Sequence, residues 1–109
     1  MMRRGHWARE AIENLGQGRT AIVHPAGHSM KGRIDEGDCV HLVPCDASEL
    51  KVDDIVLVEI RGRKYSHIVL HAIIEIGVQG FLIGAENGRI DGWVTGDKIF
   101  GRAAAVETG

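Results

Sequence analysis

Gly27-His28-Ser29-Met30-Lys31-Gly32-Arg33-Ile34-Asp35-Glu36-Gly37-Asp38 is the stretch around which the rest of this 109-residue chain is organised. Its serine has small or flexible neighbours in Ala26, Gly27 and Gly32. Glycine reaches backbone conformations closed to other residues, so the chain can bend sharply here and present the hydroxyl outward. The Gly37-Asp38 pair then opens Cys39-Val40-His41-Leu42-Val43, an apolar, β-branched run of strand length. A serine between glycines is by itself most often a turn residue bonded to its own backbone. Its meaning depends on the strands that follow.

Upstream, Trp7, Ala11, Ile12 and Leu15 recur at helical spacing between Gly5 and Gly18, with Gly16 as a stop, and predict one short amphipathic helix. Thr20-Ala21-Ile22-Val23, within Arg19 to His24, reads as a strand that delivers the chain to Pro25 and the serine turn. Downstream, Pro44 to Leu50 is a loop or single helical turn, and Ile55 to Ile60 is a strand. Arg61-Gly62-Arg63-Lys64 makes a polar hairpin turn, and Tyr65 to Ile76 returns as a long strand. Gly77-Val78-Gln79-Gly80 turns again into a short strand, Phe81 to Gly84. Glu86 to Gly92 is rich in turn formers and reads as a loop, and Lys98 to Ala103 as the closing strand before a loose tail. The chain divides into a helix and lead-in over 1–20, a β-rich domain over 21–106 and a tail over 107–109.

The composition narrows the function classes. A chain of this length forms one domain with a modest core. A net charge of −2 and a pI near 6.3 offer no general attraction to nucleic acid, so no direct nucleic-acid binding is expected. No apolar run approaches the roughly 20 residues that span a bilayer. The N-terminal Met1-Met2-Arg3-Arg4 continues into His6, Arg9, Glu10 and Glu13 instead of an apolar core. A cytoplasmic protein with no membrane partner is expected. Cys39 and Cys45 have neither metal-site spacing nor the numbers for a disulfide framework, and read as reduced, half-buried thiols.

A serine hydroxyl is a poor nucleophile near neutral pH until a base within hydrogen-bond reach takes its proton. The long return strand supplies two histidines, His67 and His71, whose four-residue separation puts both on one face. On an extended strand they stand about 13 Å apart, too far to share one metal ion. The chain has six histidines, yet no metal site is expected, and no motif points to a haem, nucleotide or other cofactor. The alternative for either histidine is a half-buried strand residue bonded to a nearby carbonyl. Asp38 reads as part of the Gly-Asp turn, bonding backbone amides.

Gly-x-Ser-Met, followed eight and nine positions after the serine by Gly-Asp and a β-run, resembles the nucleophile box of the LexA-type repressor and signal peptidase superfamily. The resemblance runs from about Val23 to Val106. It implies a coiled antiparallel β fold, with Ser29 as nucleophile and Met30 packed beneath the site. Gly27, His28 and Met30 are then the expected substrate contacts. The base in such proteins is a lysine or a histidine, and neither Lys31 nor Lys64 stands in the expected place. Counting from Asp54-Ile55-Val56, the histidine-type box falls at His67; counting back from the downstream loop, it falls at His71. His67 is preferred because it needs no insertion in the hairpin, whereas a longer hairpin or a bulge would select His71. Gly84 to Gly92 resembles the family's loop, with Glu86 for its first aspartate and Asp91 as the carboxylate that orients the imidazole; the alternative is an exposed loop in which Asp91-Gly92 is simply a turn pair. Asp53 stands where the family carries glycine, and Gly32 where signal peptidases carry proline.

The expectation is therefore a mainly β, LexA/signal-peptidase-like fold with one short N-terminal helix. Its activity would be serine peptidase chemistry on a peptide or protein substrate laid along a strand edge, with room for a homodimer. The alternative is an inactive peptidase fold retained for regulation, peptide binding or dimerisation. Self-cleavage has little support, because no clear cleavage segment precedes Ser29.

Overall fold

The computed structural model describes residues 6–109, so the reading of Met1 to Arg4 and the predicted helix start at Gly5 lie outside the described residues. The fold is mainly β. Seven strands form one antiparallel sheet: β1 (Ala21–Val23), β2 (Cys39–Val43), β3 (Ile55–Arg61), β4 (Ser66–Gly77), β5 (Gly80–Gly84), β6 (Ile90–Val94) and β7 (Ile99–Glu107). Their order across the sheet is β1-β2-β7-β3-β4-β5-β6. A short 3-10 turn leads into helix α1 (Arg9–Gly16), which buries Ala11 and Leu15 on its inward face.

Both sheet faces are covered, and β3 shows how. Ile55 and Leu57 point into a core shared with α1, where they meet Ala8, Ala11, Leu15, Val40 and Leu42. Val56 and Val58 point the other way, into a second core with Ile73, Phe81, Ile83 and Ile99. This explains why Ile55 to Val58 is apolar without alternation. Leu42, Leu57, Ile73 and Ile83 are among the largest fully buried side chains, and each contributes about 1.5–3 kcal/mol by leaving water. Ala8, Ala11 and Leu15 belong to the first core, so the N-terminal helix packs against the sheet.

Two expectations need correction. Ile90–Val94, read partly as loop because of its Asp91 and Gly92, is a strand that pairs with β5. The chain after Ala103 is not a loose tail, since β7 continues to Glu107 and pairs Val106 with Val40 and Glu107 with Cys39. In both places cross-strand hydrogen bonding holds residues of low strand propensity.

β4 positions the site. From Ser66 to Ala72 it pairs with β3 in continuous register, Arg61 opposite Ser66 and Ile55 opposite Ala72. From Ala72 to Gly77 it pairs with β5. The strand changes partners at His71 and Ala72, so its Ser66 to His71 half has a strand partner on one side only.

Candidate active site

The serine turn is built as the sequence suggests. After β1 the chain bends at Gly27, whose φ of 102° lies in the left-handed region that an L side chain rarely adopts. Met30 O then accepts hydrogen bonds from Arg33 N and Ile34 N, closing one helical turn immediately after Ser29. Met30 and Ile34 are both buried and anchor that turn in the first core. Asp38, also buried, accepts from the amides of Asp35 and Gly109, the backbone-bonding role expected of it. Ser29, half-buried, stands at the start of this anchored segment.

Ser29 Oγ lies 3.0 Å from His71 Nε2. On the other side of the ring, His71 Nδ1 lies 2.6 Å from Asp91 Oδ2. Both side chains of that second pair are under a tenth exposed. An ionised carboxylate can only accept, so Nδ1 carries the proton and donates it to Asp91. Nε2 is then left as an acceptor facing the serine hydroxyl. A nucleophile, a base and an orienting carboxylate would need the same order of contacts.

The register explains why His71 and not the preferred His67 meets the serine. His71 is directly opposite Val56, beside the Asp54-Ile55-Val56 element from which the count toward His67 was made. No bulge interrupts the β3–β4 ladder. The hairpin is simply long, running on to Arg61 and Ser66 and closing with Gly62 N donating to Tyr65 O. His67 is carried to its far end, opposite Ile60, where it is exposed and packs edge-on against Tyr65 with ring centroids 6.5 Å apart.

Asp91 is aimed by a bulge. Ile83 pairs with Gly92 and Gly84 with Ile90, so Asp91 is the extra residue between two paired positions of β6. A bulge bends the strand and redirects the side chain it carries. β5 ends at Gly84, opposite Ala72, so no β5 residue stands beside His71 and the Asp91 carboxylate reaches the imidazole past the end of that strand. Arg89 Nε is 3.9 Å from the other carboxylate oxygen, on a largely exposed side chain, and adds little.

A cleft of about 280 Å³ opens beside Ser29 and His71, walled by the segment from His24 to Gly27, by Met30 and Ile34, by β4 from Ile68 to Leu70, and by Trp7. Of the expected substrate contacts, Gly27 and Met30 line it, while His28 is exposed and outside it. The amides of Gly27, His28 and Ser29 make no backbone hydrogen bond among the described residues. Lys31 and Lys64 are exposed, and among the described residues no group of three or more metal-ligating side chains assembles.

Comparison with known protein families, curated proteins and solved structures returns no match. The site therefore rests on its own geometry.

Two of its parts were not singled out from the sequence. Arg33 binds Asp53 Oδ1 at 2.8 Å, Asp53 O at 3.0 Å and Glu86 Oε2 at 3.2 Å, tying the serine turn to two other loops. Asp53 and Glu86 are two of the positions where the chain departs from the pattern it resembles, and that coincidence was the available signal. Trp7, read only as a helix-face residue, had none.

Proposed function

We propose that this protein is a serine peptidase of the LexA/signal peptidase type, with Ser29 as nucleophile, His71 as general base and Asp91 as the orienting carboxylate. The observation that carries the reading is the unbroken relay Ser29 Oγ, His71 Nε2, His71 Nδ1, Asp91 Oδ2, with links of 3.0 and 2.6 Å. Ser29 Oγ attacks the peptide carbonyl carbon as its proton passes to His71 Nε2. Backbone amides around Ser29 receive the negative oxygen. The C–N bond then breaks, and His71 returns the proton to the leaving amine. His71 next deprotonates a water that attacks the acyl-serine ester, which releases the acid and restores the hydroxyl.

The free side of β4 over Ser66 to His71 supports a peptide substrate. An extended chain can add to it as a further strand, with its carbonyl delivered beside Ser29. A cytoplasmic setting fits the two free cysteines, and among the described residues no helix is long and apolar enough to cross a membrane.

The test is labelling by a small fluorophosphonate, read by intact mass, on the wild type and on Ser29→Ala, His71→Ala and His67→Ala. Wild type and His67→Ala should label alike, Ser29→Ala not at all, and His71→Ala at least about 100-fold more slowly, the usual weight of a general base. Folded wild type that fails to label, or labelling that needs His67 instead of His71, would overturn the assignment and favour a noncatalytic binding or dimerisation module.

A further inference from the structure

The cleft beside Ser29 is larger and more apolar than an alanine methyl requires. Its volume of about 280 Å³ approaches the lower end of pockets that hold small organic ligands, about 300 Å³. Met30, Ile34, Ile68 and Leu70 give it apolar walls. Among the described residues, Asp35 is its one formally charged lining residue, and no lysine or arginine lines it. Burying an acidic side chain there would leave a carboxylate without a cation.

Trp7 also lines the cleft. It lies in the turn that leads into α1, beside Ala8, which is fully buried, yet its own side remains 38% exposed. A large, partly exposed indole lining a cleft is apolar surface that a bound side chain would cover.

We propose, resting on the peptidase reading, that this cleft receives the substrate side chain next to the scissile bond and that Trp7 sets a preference for a large apolar residue there. The substrate class is then a peptide with a leucine-, methionine- or phenylalanine-sized residue beside the cleaved bond. Alanine leaves the cleft partly empty, and aspartate meets the like charge of Asp35. Each methylene gained or lost in an apolar pocket changes kcat/KM by about 10-fold or more.

The test uses p-nitrophenyl esters of N-acetyl alanine, leucine, phenylalanine and aspartate, with turnover by Ser29→Ala subtracted as background. Wild type should favour phenylalanine and leucine over alanine by at least about 10-fold in kcat/KM, with aspartate poorest. Trp7→Ala should lower the phenylalanine-to-alanine ratio by about 10-fold, and Trp7→Phe should restore much of it. Ile68→Phe, which fills the cleft at another lining position, should shift preference towards alanine and gives a second readout if Trp7→Ala folds poorly. A wild-type ratio within about twofold of unity, or a ratio that neither Trp7→Ala nor Ile68→Phe moves, would overturn it. The same preparations are labelled with the small fluorophosphonate. Labelling with a flat ratio sinks the subsite and leaves the peptidase reading standing, whereas absent labelling removes both.

Discussion

Replacing Asp91 by asparagine isolates what the carboxylate does for His71, because shape and volume barely change. The asparagine amide can donate to Nδ1, and a ring that accepts there must carry its proton on Nε2. That nitrogen then points a hydrogen at Ser29 Oγ from 3.0 Å and can no longer take the serine's proton. In serine triads this tautomer error costs about 10⁴ in rate, or about 5 kcal/mol of transition-state stabilisation. The folding cost should be far smaller. A charge-assisted bond of 2.6 Å between two buried groups becomes a neutral one, a loss of about 1 kcal/mol. In a domain of this size that lowers Tm by about 4–8 °C. The assay is the second-order rate of fluorophosphonate labelling at pH 7.5, beside a thermal melt of the same sample. Labelling within about threefold of wild type in a folded variant would show that the contact only holds β6 against β4, and the triad assignment would fall.

Arg33→Ala should cost about 1 kcal/mol or less in urea denaturation, because its partners Asp53 and Glu86 are substantially exposed and solvent screens such pairs. Asp53 has a φ of 81°, so Asp53→Gly should relieve left-handed strain while losing the Arg33 pair and change stability by less than about 1 kcal/mol, whereas Asp53→Val should cost about 1–2 kcal/mol by the same measurement. At Gly80, with φ 125°, a Cβ would overlap Val94 O, so Gly80→Ala should destabilise by about 2–5 kcal/mol in chemical denaturation, and a smaller effect would show that the β4–β5 turn yields. Burial pushes the Cys45 thiol above its usual range, against the opposing pull of Arg102, so iodoacetamide at pH 8 should alkylate it more slowly in folded protein than in urea. The sign on stability follows: the protonated thiol favours the fold, and that contribution is kept below the ordinary thiol pKa and lost as pH rises through the elevated folded value.

The sequence by itself determined the local elements and the turn chemistry. Cys39–Val43 is the strand its apolar run predicts, and Ser66–Gly77 lies within one residue of the predicted Tyr65 to Ile76. Glycine at 27 bends the chain before Ser29, and Asp38 bonds backbone amides, both consequences of side chains acting on their immediate neighbours. The choice between His67 and His71 was beyond it. Both share a strand face, and only the register against β3, together with the change of partner from β3 to β5 at Ala72, puts one of them beside the serine. Asp91 was singled out, but its strand was not, because the bulge that aims it exists only through pairing with Ile83 and Gly84. Arg33 and Trp7 join the site across 20 or more residues of sequence, Arg33 to Asp53 and Trp7 to Ser29 and His71. Periodicity and propensity report on residues close in sequence, whereas the candidate site joins residues distant in it, and the sheet register brings them together.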